Sequence, residues 1–517
     1  MKVEKIDLSK TNSFSPFFLD YLSNTKELSS YYGNRPEPER FQNQIEQKDF
    51  SADKRQILHD TLLDQYVDIH PAVRANIDSL LLDNTYTVTT GHQLNIFTGP
   101  LYFIYKIVTV INACKVLKEK YPDKNFVPVY WMASEDHDFD EICYFHLFGK
   151  KHTWECDQKG AVGRFKTDGL SKVLEQLPEK AEVFEKAYKN HNSLAEAVRY
   201  YINELFGTEG VIALDADDRR LKAEFTHVIE DDLINHHAND LVEETSSRLT
   251  SMGYSAQVFP RTINFFYLDG DIRERIVKEG TTWKVLNTNL SFSLEEIKLL
   301  IANEPEKFSP NVVMRPLYQE VILPNLAYVG GPAEVVYWMQ LKAVFDHYNT
   351  AFPILMPRNF ALYINKPSIK KIEKIGLSNE EIFYDGKQLK ENYLDEHSNI
   401  DIDLGNESKK LKALFDGLAE KAKEVDGSLT GFVGAEYSKA QKSLDIIEKR
   451  LQKAEEQKHE IVLNQITGLK EKLFPNGGLQ ERHDNFLNFY LNNENFITQL
   501  LASFDPFDYR FNILMEE

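Results

Sequence analysis

The alternation of apolar and polar positions predicts two strand–turn units near the start of the chain. β-Branched residues at 86–90 predict a buried strand, which breaks at Gly91 before an apolar helical run at 101–117. A second apolar strand, at 126–133, runs directly into residues 134–138, which are Ser-Glu-Asp-His-Asp. Strands that end in polar turns predict a doubly wound α/β sheet, in which ligands bind outside the carboxyl ends of the strands.

The same alternation continues further along the chain. Residues 210–215 predict a buried strand that ends in an acidic turn, and residues 219–252 predict the helix that follows it. Residues 326–329 predict another strand, which meets a Gly-Gly-Pro turn at 330–332 and then a helix at 335–348. A mostly parallel sheet with helices on its faces is therefore expected.

Two stretches differ from this pattern. Residues 255–289 predict short strands joined by hairpin-like turns, typical of an insertion in the sheet domain. Near the C-terminus, two long charged helical patterns occupy 411–425 and 436–473, and the second drifts out of register near Lys458. A helical hairpin or antiparallel coiled coil is predicted there, with self-association as its expected role.

These patterns divide the chain into successive segments with different structure. The predicted segments are a helical lead-in at 1–84, the first part of the core at 85–254, an inserted connecting segment at 255–300, the second part of the core at 301–400, a coiled coil at 401–478 and a tail that packs on the body at 479–517.

Composition and charge exclude several classes of protein. Lys and Arg total 60 against 80 Asp and Glu, which gives a formal net charge of −20 and no general attraction for nucleic acid or an anionic membrane. Cys114, Cys143 and Cys156 have neither metal-ligand nor disulfide-framework spacing, as expected in a reducing cytoplasm. The N-terminus lacks the apolar core of a signal peptide, and no apolar run is long enough to span a bilayer. We therefore expect a cytoplasmic protein.

The two polar turns carry the first candidate chemistry. His92 and Gln93 lie where a strand meets a helix, which suits nucleotide recognition or merely a capped turn. The charges at 135–138 are costly to desolvate unless they have a function, as a general base, as Mg²⁺ ligands or as hydrogen-bond partners of a substrate. The alternative is a solvated loop that caps the next helix. Zinc is disfavoured, because no Cys or second His lies at ligand spacing.

Further candidates lie around the later strand. Arg315 suits bidentate binding of a carboxylate or phosphate, and a structural salt bridge is equally consistent with its position. Arg358 has the same two interpretations. The turn at 330–331, together with Glu334, predicts an anion or ribose site, or simply a helix start. The acidic turn at 215–218 is expected to be solvated.

Four motifs, taken in order, resemble the bacillithiol biosynthesis cysteine-adding enzyme family, whose members are cysteine ligases. The motifs are Thr90-Gly-His-Gln with Phe97-Thr-Gly-Pro-Leu101, Trp131-Met-Ala-Ser-Glu-Asp-His-Asp-Phe139, Ser309-Pro-Asn-Val-Val-Met-Arg-Pro316 and Tyr328-Val-Gly-Gly-Pro332. The similarity covers essentially the whole chain, including the charged helices near the C-terminus.

The resemblance implies a Rossmann-like core akin to the nucleotidylyltransferase superfamily and a coiled-coil domain through which the family forms homodimers. It also implies the last step of bacillithiol synthesis, in which cysteine is joined to glucosaminyl-malate by an amide bond. We assign a catalytic role to Asp136, His137 and Asp138, nucleotide or anion binding to Gly91, His92, Gln93, Thr98, Gly330 and Gly331, and substrate binding to Glu135, Arg315 and Glu334.

The co-substrate and the activated intermediate stay open at this point. ATP or ADP with Mg²⁺ is the candidate, and no protein-bound metal site is expected. The turn at 91–93 departs from the usual His-X-Gly-His pattern of the superfamily, and the chain lacks an obvious Lys-Met-Ser-Lys-Ser type loop and the zinc ligands of related cysteine-activating enzymes. Two other functions fit the sequence: a nucleotidyl- or glycosyl-transferase with a magnesium-bound acidic cluster, and a nucleotide-binding coiled-coil assembly protein.

Overall fold

The computed structural model describes residues 1–398 and 403–517, which form two compact units. One comprises residues 1–363 and 478–517, and the other residues 364–477. The segment boundary predicted between residues 400 and 401 lies outside the described residues.

The strands of the described residues all belong to the first unit. They are β1 (Lys2–Ile6), β2 (Thr85–His92), β3 (Asn125–Met132), β4 (Tyr144–Leu147), β5 (Lys150–Thr153), β6 (Ile212–Asp215), β7 (Phe265–Asp269), β8 (Ile272–Glu279), β9 (Thr282–Val285), β10 (Ser291–Phe292), β11 (Phe308–Pro310), β12 (Asn325–Gly330), β13 (Ile354–Pro357), β14 (Ala361–Ile364, whose last residue falls in the second unit) and β15 (Phe511–Met515).

The α-helices are distributed over both units. Those before the second unit are α1 (Pro16–Leu22), α2 (Phe41–Gln47), α3 (Ala52–Gln65), α4 (Pro71–Ser79), α5 (Tyr102–Lys120), α6 (Phe139–Ile142), α7 (Leu170–Leu174), α8 (Glu182–Asn190), α9 (Leu194–Phe206), α10 (Arg219–Ala223), α11 (Thr226–Ile234), α12 (His237–Ser251), α13 (Leu294–Asn303), α14 (Arg315–Ile322), α15 (Pro332–Met339) and α16 (Lys342–His347). The second unit contains α17 (Lys366–Ile375), α18 (Gly386–His397), α19 (Gly405–Val425), α20 (Leu429–Lys458) and α21 (Glu460–Leu473), and the chain ends with α22 (Leu487–Tyr490) and α23 (Phe496–Ser503).

The core of the first unit is a five-stranded parallel sheet in the order β13-β12-β2-β3-β6. The central strand β2 pairs with β3 from Thr85 opposite Asn125 to His92 opposite Met132, so both strands end at the same level. Helix α5 connects them, and thirteen of its nineteen residues are buried, from Phe103 to Leu117. The predicted Rossmann-like α/β core is confirmed.

Antiparallel strands make up the other sheets of this unit. Strands β7 to β10 and β11 form a five-stranded sheet in the order β10-β9-β8-β7-β11. Its hairpin between β7 and β8, with Asp269 opposite Ile272, falls within the residues 255–289 that were predicted to form hairpin-like turns. Strands β1 and β15 bring the two ends of the chain together beside β14, with Lys2 opposite Met515. Strands β4 and β5 form a separate hairpin.

Two helices predicted as continuous are interrupted in the structure. Residues 219–252 form α10, α11 and α12, because the chain turns sharply before α12, where His236 has a left-handed φ of 64°. Residues 335–348 are divided between α15 and α16. Apolar periodicity does not reveal such breaks, since each helix still buries its own apolar face.

The second unit is helical, and its longest helices form the predicted antiparallel hairpin. A short connection joins α19 to α20, Leu404 N–H donates to Glu448, and the rings of Phe415 and Tyr437 lie 5.6 Å apart. The second helical pattern divides into α20 and α21 at Lys458, where its register drifts. The predicted coiled coil is confirmed. In the described ranges, no helix combines the length and apolarity that a membrane crossing requires.

Candidate functional site

A cavity of about 250 Å³ opens at the carboxyl ends of β2, β3 and β12. From the central strand β2, the chain builds the sheet towards β3 and β6 on one side and later towards β12 and β13 on the other. The gap between β2 and β12 is therefore a topological switch point, the place where open α/β sheets bind ligands.

Most of the residues predicted for the site line this cavity. They are Gly91, His92, Gln93, Asp136, Arg315, Gly331 and Glu334. They come from the ends of three parallel strands and the helices that follow, so the fold brings together turns that are more than two hundred residues apart in the sequence.

Asp136 is the carboxylate that faces this cavity from the predicted acidic turn. It accepts a hydrogen bond from Gln93 Nε2 at 3.2 Å, and the Arg273 guanidinium lies 3.9 Å from its Oδ1. Burial opposes the ionisation of Asp136, but the charges of Arg273 and Arg315 outweigh it and hold the pKa of this carboxyl below its usual range. Asp136 is thus an ionised hydrogen-bond acceptor at neutral pH.

A buried ion pair between Lys106 and Glu334 links the turn after β2 to the turn after β12. Lys106 Nζ, on α5, lies 2.5 Å from Glu334 Oε2 and donates to the Gly91 carbonyl at 2.8 Å. Glu334 also accepts from the Tyr328 hydroxyl and from Gly331 N–H, each at 2.7 Å. Burial opposes its ionisation, yet Lys106 and these donors keep the pKa of Glu334 below its usual range. Glu334 therefore stays ionised, and its contacts with Lys106, Tyr328 and Gly331 link the two turns. Burial lowers the pKa of Lys106, and the charge of Glu334 opposes this.

Arg315 and Arg358, two of the three arginines that line the cavity, have different environments. Arg358 is buried, its Nη2 lies 2.5 Å from Glu481 Oε1, and its guanidinium lies over the ring of Tyr102. Arg315 begins α14, and it makes none of the ion pairs within 4 Å found among residues 1–398 and 403–517. Among the described residues, Arg315 and the exposed Arg482 are therefore the lining cations that make no ion pair within 4 Å, and their charges are available to a ligand.

Several buried polar atoms of lining residues have no hydrogen-bond partner among the described residues. They are His92 Nε2, Arg358 Nε and Trp338 Nε1. Burial, reinforced by the charge of Lys106, lowers the pKa of His92 to about 3, so its imidazole is neutral. Unpaired buried polar groups are costly, so these atoms call for a polar partner, which a water molecule or a ligand supplies.

The remaining predicted residues of the acidic turn lie outside the cavity lining. Glu135 forms a buried ion pair with Lys222, and burial raises its pKa to about 7 although Lys222 opposes this. The His137 ring lies 5.6 Å from the Phe266 ring, and Asp138 is exposed. The charged side chains of residues 135–138 therefore do not form one cluster, and only Asp136 lines the cavity.

Two residues predicted to bind a nucleotide or anion are also set apart. Thr98 is buried in a tight turn with a left-handed φ of 70°. Gly330 is the last residue of β12, where an added Cβ would lie 3.0 Å from Glu334 Cβ. At the next position, the Gly331 N–H is engaged by Glu334, so the start of α15 is capped by its own chain.

The structure also corrects one expectation and adds residues that the sequence did not suggest. The acidic turn at 215–218 is not simply solvated, since the Asp215 carboxylate accepts a hydrogen bond from Ser134. Lys106, Tyr102, Tyr337, Arg273 and Arg482 were not predicted for the site, and all of them except Arg273 line the cavity. A signal existed for Lys106, the lone charge between residues 101 and 114.

Comparison with known proteins assigns the chain to a family. Residues 1–359 match the family model "Bacillithiol biosynthesis BshC, N-terminal Rossmann-like domain", and residues 361–516 match "Bacillithiol biosynthesis BshC, C-terminal coiled-coil domain". Relatives named "Putative cysteine ligase BshC" include one from Cytophaga hutchinsonii, 44% identical over 99% of this chain and 98% of its own length. Another, from Flavobacterium psychrophilum, is 44% identical over 99% of both chains, and one from Staphylococcus carnosus is 29% identical over 82% and 83%. The chain belongs to the bacillithiol biosynthesis BshC family.

Proposed function

We propose that this protein is the ligase that joins cysteine to glucosaminyl-malate in the last step of bacillithiol biosynthesis. The bond formed is an amide between the cysteine carboxyl carbon and the glucosamine nitrogen. Membership of the family and the ligase name of its relatives support this proposal. The observation that carries it is the ionised Asp136 carboxylate, which faces a cavity that also presents the guanidinium of Arg315.

The two arginines suit the malyl group of the substrate. A malyl group carries two carboxylates, and arginine binds carboxylates bidentately through its planar fork of N–H donors. Arg315 is free of ion pairs among the described residues, and Arg358, which also lines the cavity, has a buried Nε without a hydrogen-bond partner there. We assign malyl binding mainly to Arg315, with Arg358 as a second donor.

Asp136 suits the glucosamine nitrogen. A primary amine is mostly protonated at neutral pH, and an ionised carboxylate accepts its N–H groups in a charge-assisted hydrogen bond. The lowered pKa of Asp136 makes it a weak base, because an efficient general base has a pKa near the working pH. Asp136 therefore orients the nitrogen towards the carboxyl carbon, and His92, neutral and unpartnered at Nε2, accepts a further hydrogen bond.

Amide formation also requires activation of the cysteine carboxylate. The cysteine carboxylate would attack the α-phosphorus of a phosphoanhydride co-substrate such as ATP, releasing pyrophosphate and forming an acyl-adenylate, or the γ-phosphorus, releasing ADP and forming an acyl-phosphate. The amine, after losing its extra proton to water, attacks the acyl carbon; AMP or phosphate leaves, and the second nitrogen proton passes to solvent. Arg482 lines the cavity without an ion pair among the described residues and offers positive charge that fits a phosphate group, whereas Lys106 and Arg358 are already paired with Glu334 and Glu481. The acidic turn is a poor Mg²⁺ site by itself, because Glu135 is paired with Lys222 and Asp138 points away from the lining. We therefore assign Mg²⁺ to the nucleotide phosphates.

We also propose that the protein is a homodimer that associates through the helical hairpin. Helices α19 and α20 expose large apolar side chains, including Leu414, Leu418, Phe432 and Ile447. Apolar residues at coiled-coil spacing that remain exposed on a hairpin favour burial against a second copy.

The test is product analysis by mass spectrometry. Purified protein is incubated with glucosaminyl-malate, cysteine, Mg²⁺ and ATP, and each component is omitted in turn. We expect the mass of the cysteine amide only when ATP is present, with AMP or ADP formed in equal amount. Pyrophosphate release without cysteine would instead identify a nucleotidyl-transferase, and absence of the amide under every condition would refute the ligase assignment.

A further inference from the structure

A cluster of potential metal ligands lies on the outside of the first unit, away from the residues that line the cavity. Asp231 is on α11, His237 is the first residue of α12, and His347 is the last residue of α16. Their ligand atoms all lie within 4.8 Å of one another. Among the described residues, this is the one group of three or more such side chains with that spacing.

The distances within the cluster are close to those of a zinc site. His237 Nδ1 lies 3.0 Å from both carboxylate oxygens of Asp231, and His347 Nε2 lies 3.6 Å from its Oδ2. Zinc bonds of about 2.0–2.1 Å in tetrahedral geometry place neighbouring ligand atoms about 3.3 Å apart. The two imidazole centroids are 4.7 Å apart, and both histidines are exposed. A small rotation of exposed rings is therefore enough to close the site.

The backbone explains why these residues meet. The chain reverses between α11 and α12, where His236 adopts a left-handed φ of 64° and its Nδ1 is within 2.8 Å of the Asp232 carbonyl oxygen. This reversal brings the first residue of α12 back over Asp231. Helix α16 packs against α12 and ends at His347, so the third side chain arrives from a distant part of the sequence.

Neighbouring groups hold the carboxylate in place as they do around metal ligands. The Tyr348 hydroxyl donates to Asp231 Oδ2 at 2.7 Å, and Asn235 Nδ2 donates to Oδ1 at 2.8 Å. Such outer hydrogen bonds orient ligands and tune metal affinity.

We propose that Asp231, His237 and His347 bind one Zn²⁺ ion that fastens α11, α12 and α16 together. Two imidazoles and a carboxylate are ligands that zinc accepts, and the fourth position is left to water. The ion is structural, since none of its ligands reaches the cavity. The ion would therefore link α11 and α12, which the sequence predicts as one continuous helix, to α16.

The test is zinc binding by the full-length protein. The protein is stripped with a chelator, separated from it, and titrated with ZnCl₂ against a competing zinc dye. We expect about one zinc per chain, and replacement by Co²⁺ should give the visible absorption of a four-coordinate ion. His237→Ala and His347→Ala should each weaken binding by at least the roughly 10- to 100-fold that is lost when an outer-shell partner is removed.

A matched control distinguishes this site from a surface histidine among carboxylates. His59 also contacts two carboxylates, those of Asp60 and Asp78, so His59→Ala should leave zinc binding unchanged. Asp231→Asn, which keeps the shape of the side chain, covers the case in which a histidine variant folds poorly, as judged by circular dichroism. Binding that is equally weak in wild type and His237→Ala, or that is lost in His59→Ala instead, would overturn the proposal and leave only an imidazole–carboxylate ion pair.

Discussion

Replacement of Lys106 by Met tests whether the ion pair between the two strand ends stabilises the core. The Lys106 side chain is 3% exposed and its ammonium donates to Glu334 and to the Gly91 carbonyl. Methionine keeps most of the side-chain volume but removes both bonds and leaves the Glu334 carboxylate without its counter-charge.

The expected magnitude follows from these contacts. Removing one partner of a buried ion pair costs about 3–5 kcal/mol. Glu334 keeps two other donors, Tyr328 and Gly331, and its side chain is 25% exposed, which favours the lower limit. We therefore expect Lys106→Met to lower the free energy of unfolding by about 3 kcal/mol.

Urea unfolding followed by tryptophan fluorescence measures the unfolding free energy of the first structural unit, which contains Lys106. All four tryptophans, Trp131, Trp154, Trp283 and Trp338, lie in the first unit, so the signal reports on that unit. The double variant Lys106→Met/Glu334→Gln should recover part of the loss, because it removes the uncompensated charge.

An exposed pair of the same type provides the control. Lys189 lies 2.6 Å from Glu185 on the surface of α8, and Lys189→Met should leave the unfolding free energy unchanged within error. A loss in Lys106→Met no larger than in Lys189→Met, or a double variant less stable than the single one, would refute the reasoning.

Three further predictions concern the substrate, pH and assembly. Arg315→Met should raise KM for glucosaminyl-malate about 10- to 100-fold with kcat little changed, because it removes one or more charge-assisted hydrogen bonds worth about 1.5–3 kcal/mol each. Steady-state kinetics measure both constants, and Arg510→Met is the surface control. An effect on kcat alone would contradict malyl binding by Arg315. Burial raises the pKa of the Asp232 carboxyl to about 7. The stability that the protonated carboxyl contributes is fully present below the ordinary carboxyl pKa and is lost as pH rises through about 7. Between pH 5.5 and pH 8.5, the free energy of urea unfolding should fall more in the wild type than in Asp232→Asn. Equal falls in the two proteins would argue against this role of Asp232. If the proposed homodimer forms through the helical hairpin, light scattering should show a dimer for the wild type and a monomer for Phe432→Glu/Ile447→Glu. Leu299→Glu, which changes an exposed apolar residue of the first unit, should stay dimeric, and a monomeric wild type would exclude the proposal.

The sequence was sufficient for the sheet and the position of the cavity. Strands β2, β3 and β12 are apolar or β-branched runs that end in polar turns, and the backbone rule for α/β sheets places ligands at such ends. The sequence therefore predicts Gly91 and His92 on one turn and Gly331 on another for the same site, and all three line the cavity.

The partners of these residues could not be predicted in the same way. Arg358 is paired with Glu481, more than a hundred residues away, and Arg273 reaches Asp136 from an antiparallel strand of another sheet. Such contacts depend on tertiary packing, which local periodicity does not contain. For the same reason the sequence could not show that Glu135 turns away to meet Lys222 while Asp136, the next residue, faces the cavity.

The central claim is that Asp136 orients the amine in this cavity, and the most direct test compares two neighbouring aspartates. Asp136→Asn and Asp138→Asn make the same chemical change two residues apart, but only Asp136 lines the cavity, whereas Asp138 is exposed. Amide formation from cysteine and glucosaminyl-malate, measured by mass spectrometry at equal folded protein, should be abolished in Asp136→Asn and retained in Asp138→Asn. Near-normal product from Asp136→Asn, or loss of product confined to Asp138→Asn, would contradict the account.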